Sequence, residues 1–360
     1  MTKHLGSIVI VIVLSVAVFV FEILPARAEP YLAIRTGFKC SQCHVNRTGG
    51  GKRTAFGVIY AQTRLYTKII KSAKGSNFFD GKLSDTVSIG ANFRADDVSV
   101  FKYESPLAGK EDFSNSTRIS EANIYLQVDV IPDVLTVYVD QTLQPSANRE
   151  LFGLLQNLPL KSYLKIGRML LPYGLRLLND DAFIRNRTGY TYSGHDIAAE
   201  VGVEPGPISL VANVTRNQLS LVGSTVFRRF RVGGSYGRNI RQSGEYVLGA
   251  FAGLNFGRFT LLGEGDFIRN KNTDLDQFAG LAELNFLIRR GLNFKATYEF
   301  FDRNRDVPND RDGQERITLG LEPFITQFLQ LGIFYRINRF IPQNTSLNQD
   351  QLTVQFHVFL

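Results

Sequence analysis

The chain has no tryptophan, only two methionines and only two cysteines among 360 residues. So few thiols exclude a disulfide-stapled scaffold. One long apolar run exists, Ile8 to Phe21, and nothing after it is long enough for a spanning helix, so the chain is not a helical membrane protein. The run follows Lys3 and is closed by Pro25 and Ala26-Arg27-Ala28, the pattern of a secretory leader with an A-x-A cleavage site. Residues 1–28 are therefore read as a signal peptide and Glu29 as the first mature residue. Removing Lys3, Arg27 and Glu22 leaves 39 basic against 32 acidic residues. For an exported chain this balance points to lipopolysaccharide or acidic partners, and not to nucleic acid.

The two cysteines stand together in Cys40-Ser41-Gln42-Cys43-His44. C-x-x-C-H is the attachment signature of haem c, in which both thiols bond the macrocycle and the histidine takes one face of the iron. The bland readings are a strained short disulfide or half of a metal site. Export agrees with haem, because haem c is attached outside the cytoplasm. Residues 29–80 form a small basic segment around this motif, with a flexible Thr48-Gly49-Gly50-Gly51 behind it. Phe56, Ile59, Tyr60, Tyr66 and Ile70 recur near helical spacing and predict one helix over 54–74. Its apolar face would pack on the haem or on the following domain. A segment this short cannot enclose a haem alone.

From about residue 81 to 360 the period becomes two. Ala122, Ile124, Leu126, Val128 and Val130 alternate with Glu121, Asn123, Tyr125, Gln127 and Asp129, and Leu292 to Phe301 repeats the pattern. Strands of about ten residues with one apolar face and one charged face predict an all-β, transmembrane antiparallel β-barrel. A sandwich would not bury charge repeatedly. Short turns at 131–133, 204–207, 256–258, 289–291 and 322–323 alternate with longer polar connections at 94–117, 144–158, 179–195, 238–244, 303–314 and 339–349. The count favours 16 strands, with 14 possible because 216–230 divides weakly. The last strand carries Leu352, Val354, Phe356, Val358 and Leu360 toward lipid. Gly167-Arg168-Met169-Leu170-Leu171-Pro172-Tyr173-Gly174 is similar to a G-R-x-x-x-P-[FY]-G stretch of phosphate-selective-type porins, and a strand ending in a Pro-Tyr-Gly turn accounts for it.

Arg35-Thr36-Gly37 before the haem motif and Phe56-Gly57 after it complete a pattern that resembles the outer-membrane monohaem cytochrome c–porin fusions, including the iron-oxidising outer-membrane cytochromes. The resemblance implies covalent haem on Cys40 and Cys43, His44 as proximal iron ligand, and electron transfer between an extracellular donor such as Fe(II) and a periplasmic c-type cytochrome or other soluble carrier. The alternative is a solute or ion porin with a haem-bearing plug. Val45 to Arg53 lacks the proline expected of the iron oxidisers.

The mature chain retains Met169, His195 and His357 as further soft or imidazole ligands. Strand parity turns Met169 and His357 into the lumen at the end where the haem segment enters, making them the candidate distal ligands. A five-coordinate haem is the remaining option. Glu121, Asp129, Asp140, Glu264, Asp266, Glu283 and Glu299 share the inward face with Lys161, Lys165, Lys295 and Arg336. This is either a cation path or an ordinary solvated wall. No catalytic constellation is visible.

Overall fold

The computed structural model describes residues 29–67, 80–103, 111–143, 146–177, 179, 181–191, 194–241, 245–270, 273–340 and 348–360. The leader assigned to residues 1–28 lies outside them. Sixteen antiparallel strands close into one barrel, each paired with its chain neighbours and β1 (Val87–Tyr103) with β16 (Gln349–Phe359). The doubtful stretch 216–230 holds one strand, β8 (Gln218–Phe227), between tight turns that join it to β7 (Ile208–Thr215) and β9 (Phe230–Asn239). This settles the count at sixteen.

The alternation read from the sequence is the wall itself. Ile124, Leu126, Ile166, Ile197, Leu248 and Phe356 are exposed on the outside. Their polar neighbours point inward. Phe227, Phe230, Phe256 and Phe259 are exposed beside the turns 228–229 and 257–258. They form part of an aromatic rim of the kind barrels place at a membrane interface. Connections of two to five residues lie at this end of the barrel, between strands such as β10 (Tyr246–Phe256) and β11 (Phe259–Asn270), or β12 (Leu275–Arg289) and β13 (Leu292–Asp302).

Two expected connections are strands instead. Residues 144–158 are mostly β4 (Ser146–Leu158), and 94–117 falls largely within β1 and β2 (Glu111–Ile131). Bulges explain why. The register shifts between Arg94 and Ala95 in β1, and between Asp140 and Gln141 in β3 (Leu135–Leu143), opposite Arg149. A bulge puts two successive residues out of the period, and Arg149 and Glu150 are both buried on the lumen side.

The helical prediction over 54–74 shortens to a helix at Ala55–Tyr60 continued by one π turn at Ala61–Leu65, with Tyr66 extended. Residues 68–79 lie outside the described part. Thr67 leaves the helical path because its N–H donates to the Phe324 carbonyl at 2.7 Å, on the turn between β14 (Gln314–Pro323) and β15 (Leu329–Arg339). Val58 and Ala61 are buried and Tyr60 is half-buried, whereas Phe56 and Ile59 are about half exposed, so the packed face matches the spacing only in part.

The N-terminal segment lies inside the barrel. Helix α1 (Pro30–Thr36) opens on proline, which suits the first helical position, and closes on Gly37 at φ +72. A β-carbon at Gly37 would overlap the Arg228 carbonyl, so glycine also lets the helix end reach the wall. Arg35 donates to Asn293 Oδ1 at 3.0 Å and Thr260 Oγ1 at 3.3 Å. These contacts give the Arg35-Thr36-Gly37 stretch a structural role. The described residues of the connection between β5 (Ser162–Leu170) and β6 (His195–Val203) also turn into the lumen. Tyr31 and Ile34 of α1 join Leu175, Leu177, Ala182, Phe183 and Ile184 of that connection in one apolar cluster against Phe251, Leu262, Leu281 and Phe301 of the wall. The barrel therefore has a packed interior, beyond the solvated lining that charge alternation alone implied.

Candidate functional site

Helix α2 (Cys40–Cys43) carries both thiols on one turn and ends at His44. Its path is fixed from two sides. The Gly49-Gly50-Gly51 run adopts positive φ throughout (99, 81 and 65), and a β-carbon on Gly49 would stand 3.4 Å from Cys40 Sγ. Helix α3 (Ala55–Tyr60) begins at Thr54, whose hydroxyl accepts from Gly57 N and donates to the Gln42 carbonyl at 2.8 Å. Gly57 rests directly on the Cys43 backbone.

Cys40, Cys43 and His44 line one cavity, bounded by residues of α1, α3 and the inward connection. The wall lining includes Leu32, Ala33, Phe38, Ala61, Leu65 and Leu175, with Arg53, Arg176 and Arg231 supplying positive charge. Arg231 Nη1 stands 3.6 Å from Cys40 Sγ.

Burial pushes the His44 imidazole down to about 4, helped by the Arg53 and Arg176 charges. The Gly51 and Gly50 carbonyls act in the opposite sense, favouring a proton on the ring. At neutral pH His44 is therefore an uncharged imidazole, the form that binds a metal. Its Nδ1 is buried without a hydrogen-bond partner among the described residues. Two thiols and an uncharged imidazole with an orphaned nitrogen, all on one apolar cavity with a basic rim, fit a covalently held haem. The thiols are free, and burial raises that of Cys43.

The other candidate ligands do not join this group. Met169 is fully buried on the lumen side, but its Sδ accepts from Asn213 at 3.3 Å and it packs beside Val45, the residue after His44. His357 is inward and buried, with Nδ1 engaged by Gln330 and its ring 5.1 Å from Phe359. His195 begins β6, opposite Leu170. Met169, His195 and His357 are all absent from the cavity lining. Strand parity tells which way a side chain points, not how far along the lumen the ligand sits.

Several inward carboxylates hold chain in place. Glu264 pairs with Arg185 and accepts from Leu175 N at 2.5 Å, Asp266 accepts from Tyr173 OH at 2.9 Å, and Glu299 accepts from Phe183 N at 2.9 Å and pairs with Arg316 at 2.7 Å. These bonds fasten the inward connection. Lys161, expected inside, is exposed on the β4–β5 turn. A second cavity remains between connection and wall, lined by Asp96, Arg118, Asp181, Glu283, Glu299 and Arg336 among others.

No protein-family description matches the sequence, and no curated protein matches it. Solved structures do. A loop-deletion variant of OmpT, an outer membrane protein of Vibrio cholerae, is 12% identical with TM-score 0.57, covering 77% of this chain and 100% of that one. The anion-selective porin of Comamonas acidovorans is 10% identical with TM-score 0.58, over 76% and 99%. Salmonella typhi OmpF, in complex with daunomycin, is 12% identical with TM-score 0.57, over 76% and 97%. At these identities the likeness is one of fold: the barrel is porin-like.

Proposed function

We propose that this chain is an outer-membrane electron-transfer protein that holds one haem c inside a porin-like barrel. The observation that carries the reading is that Cys40, Cys43 and His44 line a single cavity within the lumen. Cys40 and Cys43 would hold the group by thioethers, His44 would take one face of the iron, and Arg53, Arg176 and Arg231 would offset the propionates. Bound there, haem supplies one-electron redox chemistry. The remaining residues shape the surroundings. Leu32, Phe38 and Leu175 would give the bound group an apolar wall. The short-turn end, where the segment enters, is the periplasmic end by the rule that barrels of this kind keep short turns there. The cavity would thus sit within reach of a soluble periplasmic carrier such as a c-type cytochrome. The external donor, Fe(II) by the family resemblance, would approach from the long-connection side past Asp181, Glu283 and Glu299. Lipid and lipopolysaccharide would cover the apolar belt.

Mixing the oxidised, detergent-solubilised protein with Fe(II) in a stopped-flow spectrophotometer tests this function. Rapid reduction of the haem is expected, and a redox-inert haem would contradict it. The porin-like fold and the charged second cavity favour a second reading, a solute or ion porin whose haem segment is a plug. It requires large single-channel conductance together with the inert haem.

A further inference from the structure

The mature chain has three histidines and one methionine. His44 is on the cavity, and the other three residues are elsewhere. Among the described residues of the cavity, the remaining kind of strong nitrogen ligand is an amine. Lys39 is adjacent to the motif, but its Nζ donates to the carbonyls of Glu204 at 3.1 Å and Ile208 at 2.6 Å, on the β6–β7 turn. Tyr60 lines the cavity but offers a phenol, packed edge-on to Phe38 at 6.2 Å between ring centres.

Glu29 also lines the cavity, followed by Pro30, Leu32, Ala33 and Thr36 of α1. It is the residue that cleavage after Ala28 would expose. Hydrolysis of that peptide bond leaves a carboxylate on Ala28 and a new α-amine on Glu29. The new end is held still. Pro30 restricts Glu29 to extended backbone, observed at φ −107 and ψ 102. The Glu29 carboxylate accepts from Lys295 Nζ at 2.8 Å, and Lys295 also pairs with Glu322 at 2.9 Å. Both side chains of the Glu29–Lys295 pair are under one-tenth exposed. An α-amine gives up its proton near pH 7.7–8.0 and a lysine near 10.4 (roughly), so it is the amine more available as a neutral ligand.

We propose that the α-amine of Glu29, created by signal cleavage, is the second axial ligand of the haem iron. The competing occupant is an ion pair between the same terminus and the carboxylates of Glu29 and Glu322. The inference rests on the haem reading and on cleavage after Ala28. Haem loading would thereby depend on prior processing of the leader.

The test uses the full, haem-loaded protein. Its intact mass gives the N-terminus, its pyridine haemochrome the haem content, and its ferric electron paramagnetic resonance spectrum the spin state. Wild type should begin at Glu29 and be low-spin. Inserting Gly-Ser between Ala28 and Glu29 should remove the low-spin signal while haem content is unchanged, whereas Lys39→Met and Tyr60→Phe should keep it. Should the inserted chain not load haem, the near-infrared charge-transfer band of the ferric wild type gives the same answer: the position of a histidine–amine pair is expected, and it should persist in Lys39→Met. A high-spin wild type, a low-spin insertion variant, a different N-terminus or a charge-transfer band of another ligand pair would each overturn the assignment. Absence of haem from every form would instead overturn the haem reading beneath it.

Discussion

Lys165 and Glu200 face each other across β5 and β6 with 2.8 Å between Nζ and Oε1, and neither side chain is more than 1% exposed. The pair also reaches the N-terminal segment, since Lys165 Nζ donates to Asn46 Oδ1 at 3.2 Å. Removing one partner of such a pair leaves a buried charge, at a cost of about 3–5 kcal/mol. Lys165→Met should therefore lower the temperature at which the barrel loses its heat-modifiable gel mobility. Lys165→Met with Glu200→Met should recover most of the loss.

Gly57 and Cys43 are in backbone contact with no room for a β-carbon between them. Gly57→Ala must push α3 off the haem motif, with an overpacking cost of about 1–3 kcal/mol. The expected outcome is a fall in haem per chain, read by pyridine haemochrome, with the barrel still folded by gel mobility. A normal haem yield would show that α3 is dispensable for the site.

How much of this was legible beforehand follows from side-chain periods. Alternation along β2, β13 and β16 marks wall and lumen because one face meets lipid and the other does not. Cys40-x-x-Cys43-His44 is a local motif, legible without any fold. Arg149 and Glu150 were illegible because a bulge turns consecutive residues inward, so β4 read as a loop. The inward turn of the β5–β6 connection was hidden for another reason. Its anchors Glu264, Asp266 and Glu299 belong to strands far along the chain, and their bonds to Leu175, Tyr173 and Phe183 are tertiary. Met169 and His357 were placed on the correct face, but parity could not show that Asn213 and Gln330 occupy them.

Arg47 ties the N-terminal segment to the wall, with Nη1 2.9 Å from Glu204 and Nη2 2.9 Å from Gln156. Charged hydrogen bonds of this kind contribute about 1.5–3 kcal/mol. Arg47→Glu sets like charges against each other and should shift seating of the segment by roughly ten- to a hundredfold. Single-channel recording should show a rise in open time or conductance over wild type.

Lys52 gives the seating a pH dependence. Burial pushes its ammonium down to about 8, although Asp129 and Asp80 act in the opposite sense. A lysine lowered in the folded state costs stability while charged. The cost is fully present below about pH 8. It fades as pH rises toward the ordinary lysine value of about 10.4. Wild type should therefore gain thermal stability relative to Lys52→Met between these limits, and the difference should be flat below pH 7. A difference that falls with pH would contradict the burial of this group.

The central claim is a haem bonded to Cys40 and Cys43 inside the barrel. The most direct measurement is the haemochrome of the detergent-extracted, denatured chain after expression with a working haem c maturation system. The account predicts one haem per chain that resists acidic organic extraction and is lost on Cys40→Ser with Cys43→Ser. A folded barrel that is colourless, or that releases its haem to the solvent, would contradict it.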